Sequence, residues 1–193
     1  MKSSSILSPL ILACVSSAQT PDGFSPAVAE KLEVVFGTQS IETPGQSMPK
    51  TSTSQQPTIG LSGTVNGTYI WMMIDLDAST NLANPKAGQQ ATYLHTVLRD
   101  FTASGPVSPD GVTVLKTSAT GPVAWFAPAP PAENPPHPHR YTNLLWEQPV
   151  NWQIPAAANT MLQTGRLGFN VPDFITAAGL SDPVAANYFN VTG

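Results

Sequence analysis

The chain has 193 residues, with 8 Lys or Arg against 12 Asp or Glu, a formal charge of -4 and only 10% charged residues, where soluble domains carry about 25%. A 41% hydrophobic fraction and 14 Gly are enough for a core. The lack of a Lys/Arg cluster excludes a phosphate-neutralising nucleic-acid binder, and the shortage of Glu and Lys excludes a coiled coil.

At the start, Lys2 precedes an apolar run from Ile6 to Val15, and Ser16-Ser17-Ala18 places small residues where a signal peptidase cuts. The expectation is a signal peptide over 1–18 and a single secreted domain over 19–193. The run is far shorter than the roughly 20 apolar residues of a membrane span, so no transmembrane segment is expected. Cleavage would remove Cys14, the one cysteine, so the secreted chain would fold without a disulfide or a thiol nucleophile. Asn66-Gly67-Thr68 and Asn190-Val191-Thr192 fit the N-glycosylation pattern.

A short helix is expected over Ala27–Glu33 and a β-branched strand over Lys31–Phe36. Ile59–Val65 and Thr68–Asp75 flank Asn66-Gly67, a strong hairpin signal. The second arm is almost wholly apolar, as in a central strand buried on both faces, and delivers Asp75 and Asp77 at its end. Thr92–Arg99 reads as a strand with His95 on the face opposite Leu94 and Thr96. Gly121–His139 holds seven prolines and reads as an extended surface loop. Tyr141–Glu147 is another strand. Pro172–Gly179 reads as a helix, with Pro at its start, an early Asp and a Gly stop. The expected fold is mainly β, one domain with short helices at its margins.

The residues able to do chemistry fall at Asp75-Leu76-Asp77, at His95, and at His137-Pro138-His139-Arg140-Tyr141. Each alone has an ordinary structural explanation, a turn for D-x-D and a satisfied core residue for a lone His. Together they are informative, because all three His and two of the twelve acids sit at strand ends that one sheet can bring together. There is no G-x-S-x-G elbow, no H-E-x-x-H, no zinc-finger spacing, no P-loop and no G-x-G-x-x-G, so neither metal nor cofactor is expected. Two imidazoles, a phenol and an aspartate that fixes a tautomer suit a phosphate or carboxylate.

IDLDAS (74–79), YLHTVLRDF (93–101), PPHPHRYTNLLWEQP (135–149) and PVAANYF (183–189), with GQSMPK and QPTI before them, resemble the phosphatidylethanolamine-binding protein family, also called Raf kinase inhibitor-like. The resemblance implies a β-sandwich with flanking helices and a pocket for phosphate, phosphoethanolamine or acetate. Asp75, His95, His139 and Tyr141 match the family's pocket residues, Asp77 the second Asp of its D-P-D, and Arg140 the arginine of its H-R-Y. Leu76 and Ser79 replace prolines, Thr96 replaces an aromatic, and His137-Pro138 replaces a glycine, so the rim differs; His137 is expected there in solvent. The resemblance implies a secreted ligand-binding or inhibitor module that holds a small anion or engages a protein partner. The alternative it implies is a counterpart of the similar proteins of fungal maleidride pathways, associated with dimerising cyclisation of maleic anhydride monomers. In that reading His95 and His139 are the catalytic groups and the substrate bears an anhydride or carboxylate.

Overall fold

Ten strands and two helices make up the chain in the computed structural model, which describes residues 18–193. The expected signal segment, apart from Ala18, lies outside the described residues, as does Cys14. The strands are β1 (Glu33–Phe36), β2 (Gln39–Ser40), β3 (Gln46–Ser47), β4 (Thr58–Ser62), β5 (Tyr69–Ser79), β6 (Gln90–Ala103), β7 (Val112–Lys116), β8 (Pro122–Val123), β9 (Pro138–Glu147) and β10 (Ala185–Thr192). The helices are α1 (Ala156–Thr164) and α2 (Val171–Ala178). The sheet runs β2-β1-β4-β7-β6-β5-β9-β10-β3, with β8 added to β6. β6 is long enough to pair with β5 over most of its length and with β7 at Thr102 and Ala103, which lets the sheet curl over itself.

The apolar β5 explains the layering. Ile70, Met72 and Ile74 face one core with Leu144, Trp146, Ala158 and Phe174, under the helices. Trp71 and Met73 face the other with Val34, Ile59, Leu115 and Phe189, inside the curl. Alternate residues of one strand thus serve two cores, as expected for a strand buried on both faces.

The Asn66-Gly67 pair does not close a hairpin. Both edges of β5 are taken, by β6 and β9, while β4 pairs with β1 and β7. The chain bends at Gly67, with φ +102 and the Tyr69 hydroxyl donating to Asn66 O at 2.8 Å, and this bend leads from β4 into β5. The helix expected over Ala27–Glu33 is absent too. Ala186 N–H donates to Glu30 O and Leu32 N–H to Ala186 O, which commits this backbone to β10. Burying Leu32, Val34 and Phe36 on one side of the strand stabilises it by about 1.5–3 kcal/mol per side chain.

α2 forms where expected. The Asn170 side chain accepts from Asp173 N–H at its start, and Gly179 adopts the left-handed conformation at its end (φ 64). Strands β2, β3, β7, β8 and β10 and helix α1 were not expected; β8 and the first two residues of β9 fall within the segment Gly121–His139 expected as a loop, so β9 begins at Pro138, three residues early. α1 buries only Ala158 and Leu162, too thin a stripe to read from sequence. No helix among the described residues is long and apolar enough to cross a membrane.

Candidate functional site

The site lies where β6, β5 and β9 run side by side. Asp75 is paired with Tyr93 of β6 on one side and Tyr141 of β9 on the other, so one row crosses three strands. His139 follows two residues from Tyr141 along β9, on the same face. His95 arrives by a different device. The β5–β6 register steps from Met73↔Thr96 to Ile74↔Leu94, which leaves His95 as the extra residue of a β-bulge. Strict alternation, which set His95 against both Leu94 and Thr96, therefore fails here. A second irregularity, between Asp75↔Tyr93 and Ala78↔Ala91, inserts a residue into β5 at Leu76–Asp77. Asp75 and His95 thus lie within long strands rather than at their ends, whereas His139 is the second residue of β9 and His137 immediately precedes that strand.

Asp75, His95, His139 and Tyr141 line one cavity of about 250 Å³, whose rim carries Leu82, Pro85, Tyr93, Phe126 and Pro130. His139 Nδ1 lies 2.8 Å from Asp75 Oδ2, and Asp77 N–H donates to Asp75 Oδ1 at 2.8 Å. Because a carboxylate only accepts, Nδ1 is the protonated nitrogen. Burial alone would lower the His139 pKa, but the hydrogen bond and charge of Asp75, with Glu133 and Asp77 behind, hold it above the ordinary imidazole value. Its Nε2 is buried without a hydrogen-bond partner, the Glu133 carboxylate being 3.9 Å away.

His95 is biased the other way. Its Nδ1 lies 2.8 Å from Phe126 O, so that nitrogen also carries a proton, and in the neutral ring Nε2 keeps the lone pair. Burial pushes its pKa below the ordinary value; the Phe126 hydrogen bond and the Asp75 charge offset only part of this. Tyr141 stands between the two imidazoles, with ring centroids 5.1 Å from His95 and 6.4 Å from His139. Burial, then the Asp75 carboxylate, hold its phenol protonated.

Asp77 and Arg140 sit beside the cavity and not in its wall. The Arg140 guanidinium grips Asp77 with two hydrogen bonds of 2.8 Å, and Arg140 N–H adds a third of the same length. Gln90 Nε2 donates to the same carboxylate. With its oxygens occupied, Asp77 serves as a brace between β5 and β9. Burial pushes Asp77 up, but Arg140 outweighs it and holds the carboxyl below the usual range. His137 stands 3.7 Å from Asp77 with its side chain 53% exposed, on the rim.

Sequence reasoning missed Tyr93, Phe126 and Arg166. Tyr93 was legible as the residue two before His95. Phe126 lies in the proline-rich loop, where no period marks a side chain. Arg166 donates to His95 O at 3.1 Å and to Ala124 O at 3.4 Å, tying the bulge to that loop; scarcity of cations was its only signal. Of the two sequons, Asn66 is exposed on its loop, whereas Asn190 Nδ2 donates to Gly45 O at 3.0 Å within β10. Among the described residues no three His, Cys, Asp or Glu converge as a metal-holding group.

A family model described as phosphatidylethanolamine-binding protein matches residues 38–189. The chain is 30% identical to "Phomoidride biosynthesis cluster protein N" of Talaromyces stipitatus, with 96% of each covered. It is 32% identical to a protein with the same description from Fungal sp. over 69% of this chain, spanning 57% of that relative's length. Among solved structures, a carboxypeptidase Y inhibitor complexed with its cognate proteinase aligns with TM-score 0.60 at 18% identity, over 86% of this chain and 84% of that one. That likeness concerns the fold.

Proposed function

We propose that this chain, which belongs to the phosphatidylethanolamine-binding protein family, takes a small carboxylate- or anhydride-bearing molecule into the cavity and acts on it by proton transfer in secondary-metabolite biosynthesis. The observation that carries the reading is the opposed bias of two imidazoles on one cavity. Environments that push two titratable groups apart assign them different roles. His95, neutral with its Nε2 lone pair available, is the base. His139, whose ionisation Asp75 favours, is the electrostatic partner of an anion. The two relatives described as phomoidride cluster proteins support the metabolic setting.

In this reading the anionic or anhydride oxygens of the substrate meet His139 Nε2–H and the Tyr141 hydroxyl. His95 Nε2 takes a proton from a carbon activated by the carbonyl, and the electron pair left behind moves onto the carbonyl oxygen as an enolate. The carbanionic carbon then forms a bond to an unsaturated carbon of a second molecule, and the His95 imidazolium returns the proton.

The test is incubation of the protein with an alkenyl maleic anhydride, followed by mass spectrometry for a dimer. Product from wild type and none from His95→Ala or His139→Ala supports the reading. Product from a folded His95→Ala protein removes His95 as base. Binding of maleate by calorimetry without any product would assign the cavity to ligand retention. We also propose that the chain is cleaved after Ala18 and secreted. N-terminal sequencing of protein from culture medium tests this, and a chain retained in cells with Met1 intact would refute it.

A further inference from the structure

Among the described residues, five large hydrophobic side chains stand out in solvent, and three of them lie at or next to the mouth of the cavity. Leu82, 58% exposed, and Phe126, 47% exposed, are part of its rim. Leu167, 39% exposed, is paired directly across from Tyr93. Leu94 N–H donates to Arg166 O and Gly168 N–H to Thr92 O, which fixes that pairing on both sides. Residues opposite each other in an antiparallel pair share a face, so Leu167 lies beside the Tyr93 ring. Tyr93 in turn meets His95 at 5.4 Å and Phe126 at 6.2 Å between ring centroids. Leu82, Tyr93 and Phe126 therefore border the cavity, and Leu167 extends this apolar border, or ledge, outward from Tyr93.

The size of the cavity gives the ledge a purpose. At about 250 Å³ it falls below the roughly 300–1,000 Å³ that encloses a drug-sized ligand. It can enclose one small carboxylate or anhydride head, and the second molecule of the proposed coupling would meet that head at the open mouth. Anything longer attached to that head must leave across the rim. Exposed apolar side chains grouped at a site mark an interaction surface, whereas scattered ones need no explanation.

We infer that Leu82, Phe126 and Leu167 form a subsite for a single unbranched hydrocarbon chain, and that the ligand is a soluble amphiphile whose carboxylate head occupies the Asp75–His139 cavity. The inference rests on the reading of the cavity as a carboxylate site, and it adds the part of the ligand that sets selectivity. Leu167 is not among the residues that line the cavity, so tail and head recognition are separable by mutation. Each methylene transferred from water to the ledge is worth about fourfold in affinity at full burial, and less on an open ledge.

The experiment is calorimetric titration of the secreted chain with succinate and with 2-ethyl-, 2-butyl-, 2-hexyl- and 2-octylsuccinate, below their aggregation concentrations. Affinity is expected to climb by about two- to fourfold per methylene and then level off as the ledge is filled. The variant Leu167→Ser, outside the cavity lining, is expected to keep the succinate affinity and lower the climb; Phe126→Ser, which keeps the backbone carbonyl that His95 uses, is expected to flatten it further. Affinity independent of chain length, with succinate bound, would overturn the tail subsite and leave the head reading intact. A climb unchanged in both variants would place the chain elsewhere and overturn it as well. Failure of succinate and all its derivatives to bind would overturn the head reading, and the tail subsite with it. Retention on phosphatidylethanolamine vesicles without chain-length dependence among the succinates would replace the soluble amphiphile with a lipid surface.

Discussion

Replacing Asp75 by Asn separates the charge of His139 from its hydrogen bond. The carboxylate lies 2.8 Å from His139 Nδ1, and both side chains are about 5% exposed or less. Asparagine keeps an oxygen to accept from Asp77 N–H but turns a donor toward Nδ1, so the imidazole must move its proton to Nε2 and become neutral. Two unit charges about 4 Å apart interact by roughly 1 kcal/mol in water and 4 kcal/mol at an effective dielectric of 20. An intermediate value of about 2–3 kcal/mol is the attraction the imidazolium would lose, and its loss moves the His139 titration toward acid. In the wild type the raised ionisation of His139 means that its charge, and the anion affinity it supplies, is present at low pH and lost as pH rises through the folded-state value above 6.5. In Asp75→Asn that loss is already complete at neutral pH, and succinate affinity there is expected to fall about 10- to 100-fold. Calorimetry between pH 5 and 9, with NMR of the His139 ring protons, reads both quantities. Because the substitution also removes a negative charge from beside the ligand, unchanged or tighter binding at pH 7 would show that the pair is effectively neutral. That result would refute a cationic His139 as the anion's partner.

Three further outcomes follow from the same geometry. Asp77→Asn weakens the clamp to Arg140 and is expected to cost about 3 kcal/mol in urea unfolding, much of the loss seen when one partner of a buried pair is removed. Since the Asp77 carboxyl is lowered on folding, its stabilisation is present above the unfolded value near 4 and lost as pH falls through the folded one, so the difference between wild type and variant is expected to close in acid; a constant gap would contradict the pairing. Trp71→Phe removes the hydrogen bond of 3.2 Å from Nε1 to Asn143 Oδ1 in the inner core, and an unfolding penalty below about 1 kcal/mol would show that this bond contributes little. Protein made in a eukaryotic secretory host is expected to carry a glycan at Asn66 alone, because Asn190 uses its amide on Gly45 O; peptide mapping that finds Asn190 occupied would refute that protection.

What could be read in the sequence depended on whether a residue obeys a local rule. The β5 arm and helix α2 do so, one through an unbroken apolar run and the other through Pro172, Asp173 and Gly179, and both stand where the patterns placed them. β10 is buried along most of its length, but AANYFNVT mixes small, aromatic and amide side chains and has no clear period. Asn187 explains part of this: its buried side chain donates to Leu32 O and Ile41 O, a polar residue at a core position because it ties β10 to the N-terminal segment. Residues 155 positions apart in the chain leave no local signature of such a contact.

The Asn66-Gly67 pair shows the limit more sharply. The positive φ that suits Gly67 is there, but neither the tight turn nor the pairing of its two arms is, since a local bend does not fix which strand lies alongside. Which strand β5 then meets depends on competition for its two edges. β6 and β9 win because each offers a long partner and closes a core face with Leu94 and Val97 or with Leu144 and Trp146, whereas the five residues of β4 cannot cover an eleven-residue strand.

The same competition made the site. Asp75, His139 and Tyr141 could be proposed together from spacing, because β5 and β9 are regular where they carry these residues. His95 could be named but not placed, because a bulge decides its direction, and a bulge is the price of fitting β6 against β5 between two cores. Asp75 and Asp77 differ for a related reason: the extra residue at Leu76–Asp77 lets one carboxylate enter the cavity while the other turns to Arg140. In a chain with so few charges, the proposed anion site depends on His139, whose ionisation Asp75 raises, while burial lowers that of His95 on the same cavity.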